Sequence, residues 1–148
     1  MTKFKKFNRK YLDLSWKWIN DPELKDMISA KTITRAEQII WFNSIQALPN
    51  YSIWGIENDG NPIGVCGLKN ISKEDAEYWG YIGEKDYWGK GIGSEILEFL
   101  MAYAGNKKLK SIYLYVTNTN GRAKKLYEKH GFITEEIKEN IIKMRLYL

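Results

Sequence analysis

"DYWGKGIGSEILEFLMAYA" runs from Asp86 to Ala104. Gly89, Gly91 and Gly93 alternate with other residues, and the last leads straight into apolar residues at helical spacing. Glycine at the mouth of a helix is costly unless the backbone must bend tightly or something must come close. The segment before it, "AEYWGYIG" (76–83), is strand-like. A strand, a glycine-rich turn and a helix N-terminus together can hold an anion. The first-turn N–H groups lack partners and carry about half a positive charge, and glycines remove Cβ atoms that would keep a phosphate away. Residues 88 to 94 therefore read as a phosphate or pyrophosphate cradle. The plain alternative is a tight turn with close helix–strand packing. No Gly-Lys-Ser/Thr is present for a Walker loop. Counting G-x-G-x-x-G from Gly89 ends on Ser94, and the preceding strand is too late in the chain for a first βαβ unit. What remains is x-x-x-G-x-G, with Gly91 and Gly93.

Working outward, "KFKKFN" reads as a first strand and "KYLDLSWKWIND" as a short helix stopped near Asp21 by Asn20-Asp21-Pro22. "TITRAEQIIWFNSIQALPN" reads as a helix with Thr34 and Glu37 as a capping box, an apolar stripe of Ile40, Trp41, Ile45 and Leu48, and Pro49 as its end. "YSIWGIEND" and "NPIGVCGLKNI" are β-prone, and Asp59-Gly60 between them signals a hairpin. Beyond the glycine stretch come a strand, "SIYLYVTN", and a helix, "GRAKKLYEKHG". That helix has Ala123, Leu126, Tyr127 and His130 on one face and Gly131 as C-cap. "GFITEE" and "NIIKMRLYL" read as two closing strands. The expected order is a strand, two helices, three strands, a helix, a strand, a helix and two strands, an α/β sandwich with a mixed sheet.

A chain of 148 residues with six Trp and ten Tyr reads as one globular domain, 1–148. No apolar run approaches the roughly 20 residues of a membrane span, and the N-terminus lacks the pattern of a signal peptide. The single cysteine, Cys66, forbids an internal disulfide, so a cytoplasmic protein is expected. One histidine and one cysteine leave almost no means for a His/Cys metal site, and no G-x-S-x-G surrounds a serine. The net charge of +5 is modest for nucleic acid and suits a phosphate-bearing small molecule.

A second motif joins the first. "VTNTNGRAKKLYEKHGF" places Asn120 at a helix start and Tyr127 two turns further on, nearly on the same face. The two segments together resemble the GNAT superfamily of acetyl-CoA-dependent N-acetyltransferases. Its later motif, Asn-x-x-Ala-x-x-Leu-Tyr-Glu-x-x-Gly-Phe, is matched by Asn120, Ala123, Leu126, Tyr127, Glu128, Gly131 and Phe132. The resemblance implies a mostly antiparallel mixed sheet of about seven strands with about four helices. It implies acetyl-CoA as cosubstrate, with the pyrophosphate held by Trp88, Gly89, Lys90, Gly91, Ile92, Gly93 and Ser94. Ile82, Gly83 and Asn120 would hold the pantetheine arm, and Tyr127 would serve as acid beside the sulfur. Trp88 replaces the family's leading Arg/Gln, as in the branch resembling ribosomal-protein and amino-sugar acetyltransferases. Tyr115 stands where the ribosomal-protein enzymes have their basic glutamate, which leaves Glu77 as candidate base.

"LSWKWINDPEL" resembles the early segment of amino-sugar acetyltransferases of bacterial nonulosonate pathways. The implied acceptor is the amine of a nucleotide-linked amino-deoxy sugar, contacted by Trp16, Trp18, Asn20 and Trp41, with Trp54 a further stacking surface. The basic residues Lys3, Lys5, Lys6, Arg9 and Lys10 would form a lip for the diphosphate. A protein N-terminal amine and a non-catalytic acyl-CoA-binding module are the alternatives. No nucleic-acid or membrane partner is expected, and a monomer and a homodimer are equally compatible with the sequence.

Overall fold

The computed structural model describes residues 1–28 and 32–148. The chain opens with β1 (Thr2–Lys6), α1 (Arg9–Ile19), α2 (Pro22–Ile28) and α3 (Arg35–Ile45). Then follow β2 (Ser52–Asn58), β3 (Asn61–Lys69), β4 (Asp75–Ile82), a 3-10 turn (Lys85–Tyr87) and α4 (Ile92–Asn106). The last part is β5 (Ser111–Thr117), α5 (Gly121–Lys129), β6 (Ile133–Lys138) and β7 (Ile141–Tyr147). The described residues hold five α-helices, in keeping with the expected sheet flanked by about four. The extra one is α2. Asn20-Asp21-Pro22 does stop α1, but the same residues start a new helix. Asp21 Oδ2 accepts from the Leu24 N–H at 3.1 Å, and Pro22 takes the first helical position, where a missing N–H costs nothing.

Local chemistry sets several other boundaries as expected. Thr34 and Glu37 form the reciprocal capping box of α3. Asp59 and Gly60 both take positive φ in the β2–β3 hairpin, the conformation that an Asp-Gly turn supplies. The face of α3 differs from the expected apolar stripe. Ile40 is 68% exposed and Leu48 lies beyond the helix, while Gln38 is buried. Gln38 is tolerated there because its amide donates to Ser15 Oγ at 2.7 Å and its oxygen accepts from Arg35 at 2.8 Å.

The seven strands form one sheet in the order β1-β2-β3-β4-β5-β7-β6. Every neighbouring pair is antiparallel except β4 and β5, which run parallel through the α4 crossover. Ala76 and Tyr78 of β4 join Ile92, Ile96, Leu97 and Leu100 of α4 in the larger core, against which Leu126 and Tyr127 of α5 also pack. On the other face Leu12 and Trp18 of α1 and Leu24 of α2 form a second core, with Trp41, Trp79 and Tyr81 packed on it. Among the described residues no helix is long and apolar enough to cross a membrane.

Candidate active site

β4 and β5 do not stay together. They pair only through Asp75, Ala76 and Glu77 against Ser111, Ile112 and Tyr113. Beyond these residues the strands diverge and open a wedge through the sheet. Arg145 of β7 holds the closed end, with Nη1 2.9 Å from Asp75 Oδ2 and 2.8 Å from Ser111 Oγ. A groove of about 680 Å³ fills the open end. Its walls come from β4, β5, α2, the first turn of α4 and α5.

The wedge leaves β4 with free backbone. The Gly83 N–H donates to Ile63 O at 2.7 Å, which fixes the parity of the β3–β4 ladder. Residues 83, 81, 79 and 77 exchange bonds with β3, so the N–H and C=O groups of Tyr78, Gly80 and Ile82 point toward β5. The Ile82 carbonyl accepts the Trp88 indole N–H at 2.8 Å. Of the two residues expected to meet an extended acyl arm, Ile82 faces the wedge and Gly83 faces β3. Gly80 joins Ile82 there, and it was legible in principle, by counting strand parity across the hairpin.

The glycine stretch continues from that edge. Gly91 is the N-cap of α4 at φ 81° and makes no side-chain cap. A Cβ there would meet no protein atom within 4 Å; it would project into open space at the helix mouth. A cradle left clear in this way fits an anionic group on the first-turn N–H groups. Gly93 has a packing reason, since a Cβ would lie 2.9 Å from Leu126 Cδ2. Trp88, Gly89, Ile92 and Ser94 also line the groove. Lys90 is exposed and outside the groove lining.

Asn120 caps α5, with Oδ1 accepting from the Ala123 N–H at 3.2 Å. Its Nδ2 donates across the groove to Met27 O of α2, also at 3.2 Å. Tyr127 packs edge-on against Tyr78 with ring centroids 5.9 Å apart. Burial pushes its hydroxyl up to about 12, partly offset by the Tyr78 hydroxyl beside it. Glu77 lines the opposite side of the wedge. Its oxygens lie 3.3 Å from Asn70 Nδ2 and 3.6 Å from Lys69 Nζ.

The residues expected at the acceptor are placed elsewhere. Trp18 is buried, donates to Glu84 Oε1 at 3.0 Å and packs on Gly83. Trp16 donates to Ile33 O at 3.2 Å, and Asn20 donates to Trp16 O at 2.8 Å. Trp41 meets Phe7 and Tyr51 edge-on and borders a separate cavity of about 120 Å³. Trp54 packs on Phe99 and Tyr103 of α4. None of these lines the large groove. Nor does the basic segment, because β1 is an edge strand three places from β4. The groove is lined instead by Leu24, Met27, Ile28, Lys69, Tyr115 and Ile141, among others. The sequence carried no local signal for these, since they converge only when β5, β7 and α2 assemble.

A profile of the acetyltransferase (GNAT) family matches residues 14–132. The chain belongs to this family. It is similar to the acetyltransferase PseH of Campylobacter jejuni, with 26% identity over 130 residues, 87% of this chain and 81% of the relative. The structure of C. jejuni PseH with acetyl coenzyme A superposes with a TM-score of 0.76 at 18% identity, covering 99% of both chains. Spermidine N-acetyltransferase of Vibrio cholerae, in complex with CoA and spermine, gives 0.89 at 20% identity, covering 99% of this chain and 95% of that one. The GNAT chain described here is therefore an acyltransferase whose acyl donor is acetyl-CoA. Among the described residues no group of three or more His, Cys, Asp or Glu side chains is placed to hold a metal ion.

Proposed function

We propose that this GNAT enzyme acetylates the amino group of a nucleotide-linked amino-deoxy sugar. The observation that carries the reading is the make-up of the groove. Among the described residues Glu77 is the one carboxylate in its lining and is already within 3.6 Å of Lys69, and aliphatic side chains such as Leu24, Ile28 and Ile141 share that lining. A polyamine brings several cations, each needing an acid to offset its desolvation. An amino-deoxy sugar brings one amine and an apolar face, which suits one carboxylate among aliphatic side chains. The resemblance of Leu14 to Leu24 to amino-sugar enzymes supports the same class.

In this reading the acyl arm enters from the α4–α5 face and the amine from the α1–α3 face. They meet where β4 leaves β5. Acetyl-CoA supplies an activated thioester. The backbone of residues 88 to 94 holds its diphosphate, and Gly80 and Ile82 align the arm as a further strand would, with Asn120 alongside. Glu77 takes the proton that an attacking amine must lose, and Tyr127 holds a proton for the departing sulfur. Positioning the two reactants supplies much of the rate.

The test is thiol release from acetyl-CoA with three acceptors: a UDP-linked 4-amino-4,6-dideoxy sugar, spermidine and peptides with free N-termini. The sugar nucleotide is expected to give a kcat/KM at least about 10-fold above the others, the discrimination that one or two lost contacts supply. Faster acetylation of spermidine or of a peptide overturns the reading.

A further inference from the structure

His130 is the single histidine of the chain, and nothing in the reaction above uses it. It caps the C-terminal end of α5. Its Nε2 lies 3.0 Å from Oγ of Ser94, the third residue of α4. Ser94 lines the groove beside Gly91 and Gly93. The contact therefore joins the far end of one helix to the anion-facing end of another.

We propose that His130 is a positioning residue that turns the Ser94 hydroxyl toward the diphosphate of the acyl donor. The proposal rests on reading residues 88 to 94 as the diphosphate cradle. A serine hydroxyl has one proton to give. When Oγ donates that proton to the imidazole, none is left for an anion. When Nε2 carries the proton and donates to Oγ, the serine proton is free to point into the groove. One feature favours the second arrangement. An anion on the first turn of α4 makes the outward hydrogen bond charge-assisted, roughly twice as strong as a neutral one. Backbone N–H groups at that turn bind any anion. The His130–Ser94 pair adds a fixed side-chain donor. Arg122 of α5, whose Nη2 would lie 2.9 Å from a Cβ on Gly89, stands over the opposite end of the cradle, so α5 flanks the cradle at both ends.

The test compares acetyl-CoA with S-acetylpantetheine, which carries the same thioester and no diphosphate. His130→Leu is expected to raise the Kd and KM for acetyl-CoA about 3- to 10-fold, the worth of one net hydrogen bond. It should leave kcat and the KM for S-acetylpantetheine unchanged. Ser94→Ala should give the same loss, and the double variant no further loss, because the two residues act as one unit. His130→Gln, which keeps a donor, should recover most of the affinity. An unchanged acetyl-CoA KM in His130→Leu overturns the proposal. So do additive losses, or an equal loss with S-acetylpantetheine, which marks a merely structural contact. If His130→Leu does not fold, Ser94→Ala and His130→Gln carry the same comparison. Failure of the unaltered enzyme to bind acetyl-CoA in the same calorimetry overturns the cradle reading instead.

Discussion

Tyr127 belongs to the core and to the groove wall at once. Its ring packs against Tyr78 and Phe132 at 5.9 and 5.8 Å, and it also lines the groove. Burial raises its hydroxyl to about 12, so the proton stays in place from neutral pH to well into the alkaline range. Tyr127→Phe keeps the ring contacts and removes only the proton. We expect kcat to fall about 10- to 1,000-fold, the span of general-acid effects, with the Kd for acetyl-CoA and the thermal midpoint nearly unchanged. Steady-state kinetics beside calorimetry checks this, and an unchanged kcat would leave Tyr127 as packing alone. The sequence singled out this residue as a candidate through its spacing from Asn120. It did not show the fate of the tryptophans, because an aromatic residue looks the same in sequence whether it meets a ligand or another side chain. Trp18 and Trp54 are settled by Gly83 and Phe99, partners far away in the chain.

At the scale of elements, the turn into α4 joins the free edge of β4 to an open helix mouth. Gly91 holds φ 81° and its surroundings are open, so substitution acts in two separable ways. A β-branched residue is strained at that φ by about 1–3 kcal/mol, which lowers the thermal midpoint of the free enzyme. It also puts methyl groups over the first-turn N–H groups. Gly91→Val is therefore expected to abolish the rise in midpoint that saturating acetyl-CoA gives the unaltered enzyme, a rise that follows from binding the native state alone. Thermal scans with and without acetyl-CoA separate the two effects, and a normal ligand-induced rise in the variant would rule out the cradle. The same scale shows why some elements were legible and others not. The α3 capping box, the β2–β3 hairpin and the glycine turn each follow from residues within a few positions of one another. α2 is seven residues long and shares its start signal with the stop signal of α1. The wedge is a relation between β4 and β5, set by where two distant segments stop pairing, and no local pattern states it.

Across the whole molecule, three carboxylates, two at helix starts and one within β6, share one electrostatic consequence. The Leu24 N–H and Lys85 hold Asp21 below its usual value at the start of α2. Thr34 does the same to Glu37 at the start of α3. Arg145, with Lys143, does so to Glu135 on β6. A carboxyl whose folded pKa is depressed binds fewer protons folded than unfolded. Its contribution is present above the unfolded value, near 3.9 for Asp and 4.3 for Glu, and is lost as pH falls through the folded value. These groups leave stability flat from about pH 6 to 8 and withdraw it below about pH 4.5. The loss is not shared evenly. Asp21 and Glu37 both cap helices on the sheet face opposite α4, whereas the core around α4 consists of aliphatic and aromatic residues. Acidification is therefore expected to speed hydrogen exchange in α2 and α3 before α4. A joint change to Asp21→Asn and Glu37→Gln should reproduce that order at pH 7 and flatten the acid limb of the melting curve. Hydrogen exchange at pH 7 and pH 4 measures both. Simultaneous loss of protection in all three helices would show that the caps do not set the order, and that the sheet and both its faces yield to acid as one unit.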